Sequence, residues 1–70
     1  MEILAPLTGN IWRILVSVGD SVDAGDTLII MESMKMEINV DALFDGVVAQ
    51  ILTTEGVMVQ EDDVLIIMDD

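Results

Sequence analysis

The sequence predicts an all-β domain in which two antiparallel sheets face each other as a flattened barrel or sandwich. Eighteen of the 70 residues are Val or Ile, and their branched Cβ favours a pleated strand over a helix. The apolar runs are short and lie between Gly and Asp residues, which is typical of strands joined by tight turns. No 11-residue window carries a helical apolar stripe that is free of a glycine or an acidic cluster.

Six strands follow from this pattern, each bounded by turn-forming residues. Short extended segments are also expected near Val22 and Val59. In chain order the predicted strands are Glu2 to Ala5, Asn10 to Val16, Thr27 to Ser33, Met36 to Val40, Gly46 to Thr53 and Val64 to Asp69.

An internal repeat organises these strands. When residues 1–33 are aligned with residues 38–70 at a constant offset of 37, eleven of the 33 pairs are identical, Gly9/Gly46 and Leu28/Leu65 among them. Each copy is too small to close a core alone, so the two copies should pack as a pseudo-twofold pair with two facing sheets. Residues 1–70 are therefore predicted to form a single domain.

Composition excludes several classes of function. The net charge is −12, with 14 acidic residues against Arg13 and Lys35 as the only cations. No basic patch is available for nucleic acid or an acidic membrane surface. Without Cys or His, the usual nucleophile and base pairs cannot be assembled, so no catalytic residue is assigned and an autonomous enzyme is not expected. With no signal peptide and no apolar stretch of about 18 residues, a cytoplasmic domain without membrane insertion is predicted.

Two acidic clusters superficially suggest calcium loops. They consist of Asp20, Asp23 and Asp26, and of residues 61–63. The EF-hand spacing is not met, because Val22 and Ala24 occupy ligand positions. Turn chemistry and solubility explain these carboxylates, and no metal site is predicted.

The link between the two copies is Met34-Lys35-Met36-Glu37. The strands that end at Ser33 and begin at Met36 must form a tight hairpin with Lys35 at or beside its tip. No Gly or Asn is present to select the usual two-residue turn. The lone lysine is then either an amine presented to another protein or an ordinary solvated lysine between two partly buried methionines.

The segment Glu32-Ser33-Met34-Lys35-Met36-Glu37 closely resembles the biotin-attachment motif of biotin carboxyl carrier domains, members of the biotin/lipoyl-attachment family. Ala5-Pro6 with Gly9 resembles the first turn signature of that family, and Gly46-Val47-Val48 resembles the matching place in the second half. The resemblance covers the whole chain and implies a barrel-sandwich hybrid with the lysine on a β-hairpin turn. Ser33 stands ahead of Met34 where the biotin-attachment motif more often has Ala. The dipeptide Glu32-Ser33 also resembles the corresponding segment of lipoyl domains.

The resemblance implies that Lys35 is the acceptor for covalent biotin, attached as an amide by a separate biotin protein ligase. A biotin carboxylase would load the carboxyl group, and a carboxyltransferase or decarboxylase would receive it. Met34 and Met36 would be a flexible apolar surface read by these partners, or else packing at the edge of the core. Glu32 and Ser33 belong to the same motif. Glu32 and Glu37 either orient the contact with the ligase or are solvated strand ends.

Two alternatives remain open at this level: a lipoyl carrier, and an unmodified interaction domain of the same fold. Trp12 also stands out, because the repeat places Ala49 at the equivalent position. Packing or a partner contact could account for this difference between the copies.

Overall fold

The computed structural model describes residues 1–69; the predicted domain ends at Asp70, which lies outside the described residues. Over residues 1–69 the chain forms eight β-strands, and no helix there is long and apolar enough to cross a membrane. The strands are β1 (Glu2–Leu4), β2 (Gly9–Ile14), β3 (Ser21–Val22), β4 (Thr27–Ser33), β5 (Met36–Asp41), β6 (Gly46–Ile51), β7 (Met58–Val59) and β8 (Val64–Asp69).

The strands form two four-stranded antiparallel sheets, in the orders β1-β8-β6-β3 and β5-β4-β2-β7. The predicted fold class is confirmed. The predicted second and sixth strands run past the observed ends at Ile14 and Ile51. Leu15 N–H still donates to Leu28 O and Leu52 N–H to Leu65 O, and the chain then leaves the sheet for a turn.

The two sheets are built from equivalent parts of the sequence. Adding 37 to the residue numbers of β1 to β4 gives positions in β5 to β8, and the same shift converts one strand order into the other. The β2–β4 register skips Trp12, and the β6–β8 register skips Ala49. Both places are β-bulges, so the irregularity is repeated along with the regular pairing.

The core lies between the sheets and draws equally on both halves. Within residues 1–69 every fully buried side chain is apolar, so apolar packing closes the interior. The Thr53 Oγ1 atom of a half-buried residue is also buried, without a hydrogen-bond partner. The largest fully buried side chains are Ile11, Leu28, Ile29 and Met31 from the first half, and Val48, Leu65, Ile66 and Met68 from the second.

Carboxylates stabilise the turns between strands. Asp20 Oδ2 accepts from Ser17 N–H at 2.8 Å, and Asp26 Oδ2 accepts from Asp23 N–H at 2.9 Å. In the second half, the carboxylate of residue 63 accepts from the N–H of residue 60 at 2.8 Å. The prediction of turn chemistry is confirmed for Asp20, Asp26 and Asp63. Among the described residues no group of three or more potential ligands is arranged to hold a metal ion.

Candidate functional site

The hairpin between β4 and β5 carries Lys35 in a two-residue turn. Ser33 pairs with Met36 as the last rung of the ladder, and Met34 and Lys35 alone connect the strands. Below this rung Glu32 pairs with Glu37. The seven residues of β4 and the six of β5 thus hold the turn at the end of a long hairpin.

Both residues of the turn have left-handed backbone conformations. The φ angle is +51° at Met34 and +66° at Lys35, as a type I′ turn requires at both central positions. This turn normally contains Asn or Gly, because a Cβ costs about 1–2 kcal/mol in the left-handed region. The turn therefore forms because the β4–β5 ladder brings Ser33 and Met36 together. Met34 and Lys35 occupy the turn although their side chains disfavour its backbone conformation.

The two flanking methionines project into solvent. Met34 is 92% exposed and Met36 is 63% exposed, and Lys35 is exposed between them. The interpretation of these methionines as edge-of-core packing is wrong. Positive φ angles at Met34 and Lys35 end the strand alternation at Ser33, and both methionine side chains lie outside the core. Two flexible apolar side chains therefore flank the amine.

Close backbone packing supports the hairpin from the neighbouring strand β2. A Cβ built on Gly9 would lie 2.8 Å from Glu32 O and 3.1 Å from Ser33 Cβ. Only glycine allows the two strands to approach so closely at this point. Ser33 is half-buried, so it serves as a packing contact beneath the turn.

Negative charge surrounds the amine. Glu32 and Glu37 are exposed and directly opposite each other on neighbouring strands. Like charges in this arrangement destabilise a sheet by a few tenths of a kcal/mol. The pair creates a negative potential on the approach to Lys35, which favours a partner with a positive surface.

A shallow groove beside the hairpin was missed by the sequence analysis. It is lined by Asn10, Ile11, Trp12, Glu32 and Gly56. Trp12 is 42% exposed and is not part of the buried core cluster, so core packing does not explain it. The available signal was the repeat, which pairs Asn10 with Val47 and Trp12 with Ala49.

The site can present one primary amine, on an exposed turn at the end of a long hairpin, to the active site of another protein. Together with the fold, it defines a small β-domain of the carrier type. The chain belongs to the biotin/lipoyl-attachment family: the family model described as "Biotin-requiring enzyme" matches residues 1–68.

Individual relatives agree with this assignment. The "Biotin/lipoyl attachment protein" of Bacillus subtilis (strain 168) is 39% identical over 66 residues, which cover 94% of this chain and 90% of that protein. The urea carboxylase of Kluyveromyces lactis contains a region that superposes with a TM-score of 0.92 at 38% identity. That superposition covers 99% of this chain and only 6% of the carboxylase chain.

A lipoyl domain is also similar. The solution structure of the lipoyl domain of the 2-oxoglutarate dehydrogenase complex from Azotobacter vinelandii superposes with a TM-score of 0.84 at 25% identity. It is covered over 96% of its length, and this chain over 100%. The predicted family, the predicted carrier role and biotin as the cofactor of the family are confirmed. Other relatives are parts of carboxylases.

Proposed function

We propose that Lys35 is the attachment site for biotin and that the modified domain carries carboxyl groups between the active sites of a biotin-dependent enzyme system. One observation carries this proposal. The single lysine of the chain occupies an exposed type I′ turn, between two exposed methionines, in a domain of the biotin/lipoyl-attachment family.

Attachment requires a biotin protein ligase. The Lys35 Nζ, once deprotonated, forms an amide bond with the activated carboxyl carbon of biotin, while the activating group departs and the amine protons pass to the ligase site or solvent. The hairpin favours this step because it lifts Lys35 away from the sheets, where a cleft can enclose it. Met34 and Met36 provide apolar contact area for that cleft.

Carriage follows from the tether. Biotin on Lys35 becomes the end of a flexible arm, and it accepts a carboxyl group at a biotin carboxylase and delivers it at a carboxyltransferase or decarboxylase. Confinement by the arm raises the effective concentration of biotin at each site. The chain itself positions the biotin and provides the surface that the partner enzymes bind, whereas the partner enzymes catalyse the reactions.

The test is intact-mass analysis after incubation with a biotin protein ligase, biotin and ATP. The wild-type chain should gain the mass of one biotinyl group and be captured by avidin. Lys35→Arg should gain nothing while its free energy of unfolding changes by less than about 0.5 kcal/mol, because arginine keeps the charge and faces the same backbone requirement.

A matched control moves the lysine. In the double variant Arg13→Lys with Lys35→Arg, the chain again has one lysine, now in strand β2. This variant should remain unlabelled, because the amine is no longer on the hairpin turn. Efficient labelling of the double variant would show that the turn does not select the amine.

A lipoyl carrier is the second candidate, favoured by Glu32-Ser33 ahead of the turn and by the similarity to a lipoyl domain. Incubation with a lipoate ligase, lipoate and ATP separates the two candidates. A lipoyl increment on Lys35, with no biotinyl increment in the parallel reaction, would reject the biotin proposal.

A further inference from the structure

The groove beside the hairpin has the size of a site for a small ring. Its volume is about 270 Å³, just below the roughly 300–1,000 Å³ of sites that enclose drug-sized ligands. Of its lining residues, Asn10, Trp12 and Glu32 are exposed on the sheet that carries the Lys35 hairpin. The attachment step proposed above assigns no role to Asn10 or Trp12.

The repeat shows that this groove is a specific addition to the common framework. The equivalent positions in the other half are Val47 for Asn10 and Ala49 for Trp12. Both bulges are present, but only the one on the sheet with the lysine carries an aromatic side chain. A β-bulge turns its extra residue out of the regular pleat. The bulge in β2 therefore directs the indole of Trp12, whereas the equivalent bulge in β6 carries only the methyl group of Ala49.

The chemistry of the groove fits a cyclic urea fused to a thioether ring. The Arg13 guanidinium lies over the Trp12 ring at 5.3 Å from its centroid, a cation–π contact that holds the indole in place. The indole offers an apolar surface to ring carbons and a favourable contact to sulfur. The Asn10 amide can donate to a urea carbonyl, and the Glu32 carboxylate can accept from a urea N–H.

The groove is also within reach of the arm. Glu32 pairs with Asn10 across β4 and β2, and Glu32 is three residues from Lys35 in the chain. Three residues span at most about 10 Å, and the turn at Met34 and Lys35 makes the separation shorter than that. The lysine side chain and the four-carbon chain of biotin, joined by an amide, form a longer arm than this, so the ring can reach the near end of the groove.

We propose that the groove formed by Asn10, Trp12 and Glu32 is a docking site for the bicyclic ring of biotin carried on Lys35 of the same chain. This inference rests on the proposed function. Docking keeps the ring on the surface of the domain between visits to the partner enzymes. The tether allows even a weak contact to be populated, because it keeps the effective concentration of the ring near the groove high.

The test compares the unmodified and the biotinylated full chain by fluorescence, because Trp12 is the only tryptophan. Biotinylation, verified by intact mass, should shift the emission of Trp12 to shorter wavelength and lower its quenching by acrylamide. Avidin should also capture the biotinylated Trp12→Ala variant faster than the biotinylated wild type, because the ring is no longer held.

Two asparagine variants separate docking from general effects of modification. Asn10→Val introduces the residue that the repeat has at the equivalent position, and it should abolish the fluorescence response to biotinylation. Asn39→Val changes an exposed asparagine on β5 that lies outside the groove, and it should leave the response intact.

The outcomes distinguish the two proposals. If Lys35 gains no biotinyl mass, the proposed function fails and this inference fails with it. If Lys35 is biotinylated but the emission and quenching of Trp12 stay those of the unmodified chain, the docking site alone is rejected. An equal response in Asn10→Val and wild type would likewise reject the groove as the docking site.

Discussion

Gly9 lies against the carbonyl oxygen of Glu32 so closely that a Cβ on Gly9 would be 2.8 Å from it. This contact joins β2 to the end of β4, immediately below the turn that carries Lys35. The repeat contains the same relationship at Gly46, where a Cβ would be 2.5 Å from Asp69 O. The pair offers a test of how the framework supports the hairpin.

Gly9→Ala should destabilise the domain by about 1–3 kcal/mol, because a methyl group in a closely packed site forces the backbone to move. It should also slow biotinylation of Lys35, since the displaced strand is β4. Gly46→Ala is the matched control: its stability loss should be similar, but labelling should keep its wild-type rate. Urea unfolding and the initial rate of ligase labelling are the two measurements. Equal labelling rates for the two variants would contradict a supporting role specific to Gly9.

Met34→Gly should separate stability from recognition. Glycine adopts the left-handed conformation of Met34 without a Cβ penalty, so the free energy of unfolding should rise, by up to about 1 kcal/mol. Labelling should become slower, because an apolar contact for the ligase is lost. The control is Met58→Gly in strand β7, also at an exposed methionine, which should lower stability. A labelling rate of Met34→Gly at or above wild type would show that the ligase does not use this side chain.

Asp62 and Gly25 form a second natural comparison. They are equivalent in the repeat, and their φ angles are +72° and +92°. Asp62→Gly should stabilise the domain by up to about 1 kcal/mol, whereas Gly25→Asp should destabilise it by a similar amount. Thermal unfolding of both variants checks this. If the two substitutions shifted Tm in the same direction, backbone strain would not be the dominant effect.

The charge of −12 should make stability depend on salt. Raising the ionic strength from 0.01 M to 0.15 M shortens the Debye length from about 30 Å to about 8 Å. The domain measures 32 × 19 × 18 Å, so repulsion that spans the whole molecule at low salt becomes local. The Tm of the wild type should rise with NaCl over this range. The Tm of Glu37→Gln should rise less, because this variant lacks the like-charge pair with Glu32. A Tm that is flat or falls with salt would contradict net self-repulsion.

Much of the architecture could be predicted from residue patterns alone. The β-branched content and the short apolar runs predicted the strands to within one or two residues at most ends. The 37-residue repeat predicted facing sheets, and the position of Lys35 between the copies predicted a tight hairpin. The turn role of Asp20 and Asp26 could also be predicted, because their side chains accept hydrogen bonds from residues only three positions away in the chain.

Other features depend on contacts between distant parts of the chain. The sequence by itself determined the strand class, the two equivalent halves and the placement of a single amine at their junction, since these rest on side-chain periodicity and neighbours in the chain. Only the tertiary structure decided that Met34 and Lys35 adopt left-handed angles, that both flanking methionines are exposed, and that Asn10 and Glu32 share a groove. Residues 10 and 32 become neighbours through the β2–β4 ladder, and the pairing of β4 with β5 imposes on the turn a conformation that its own residues disfavour.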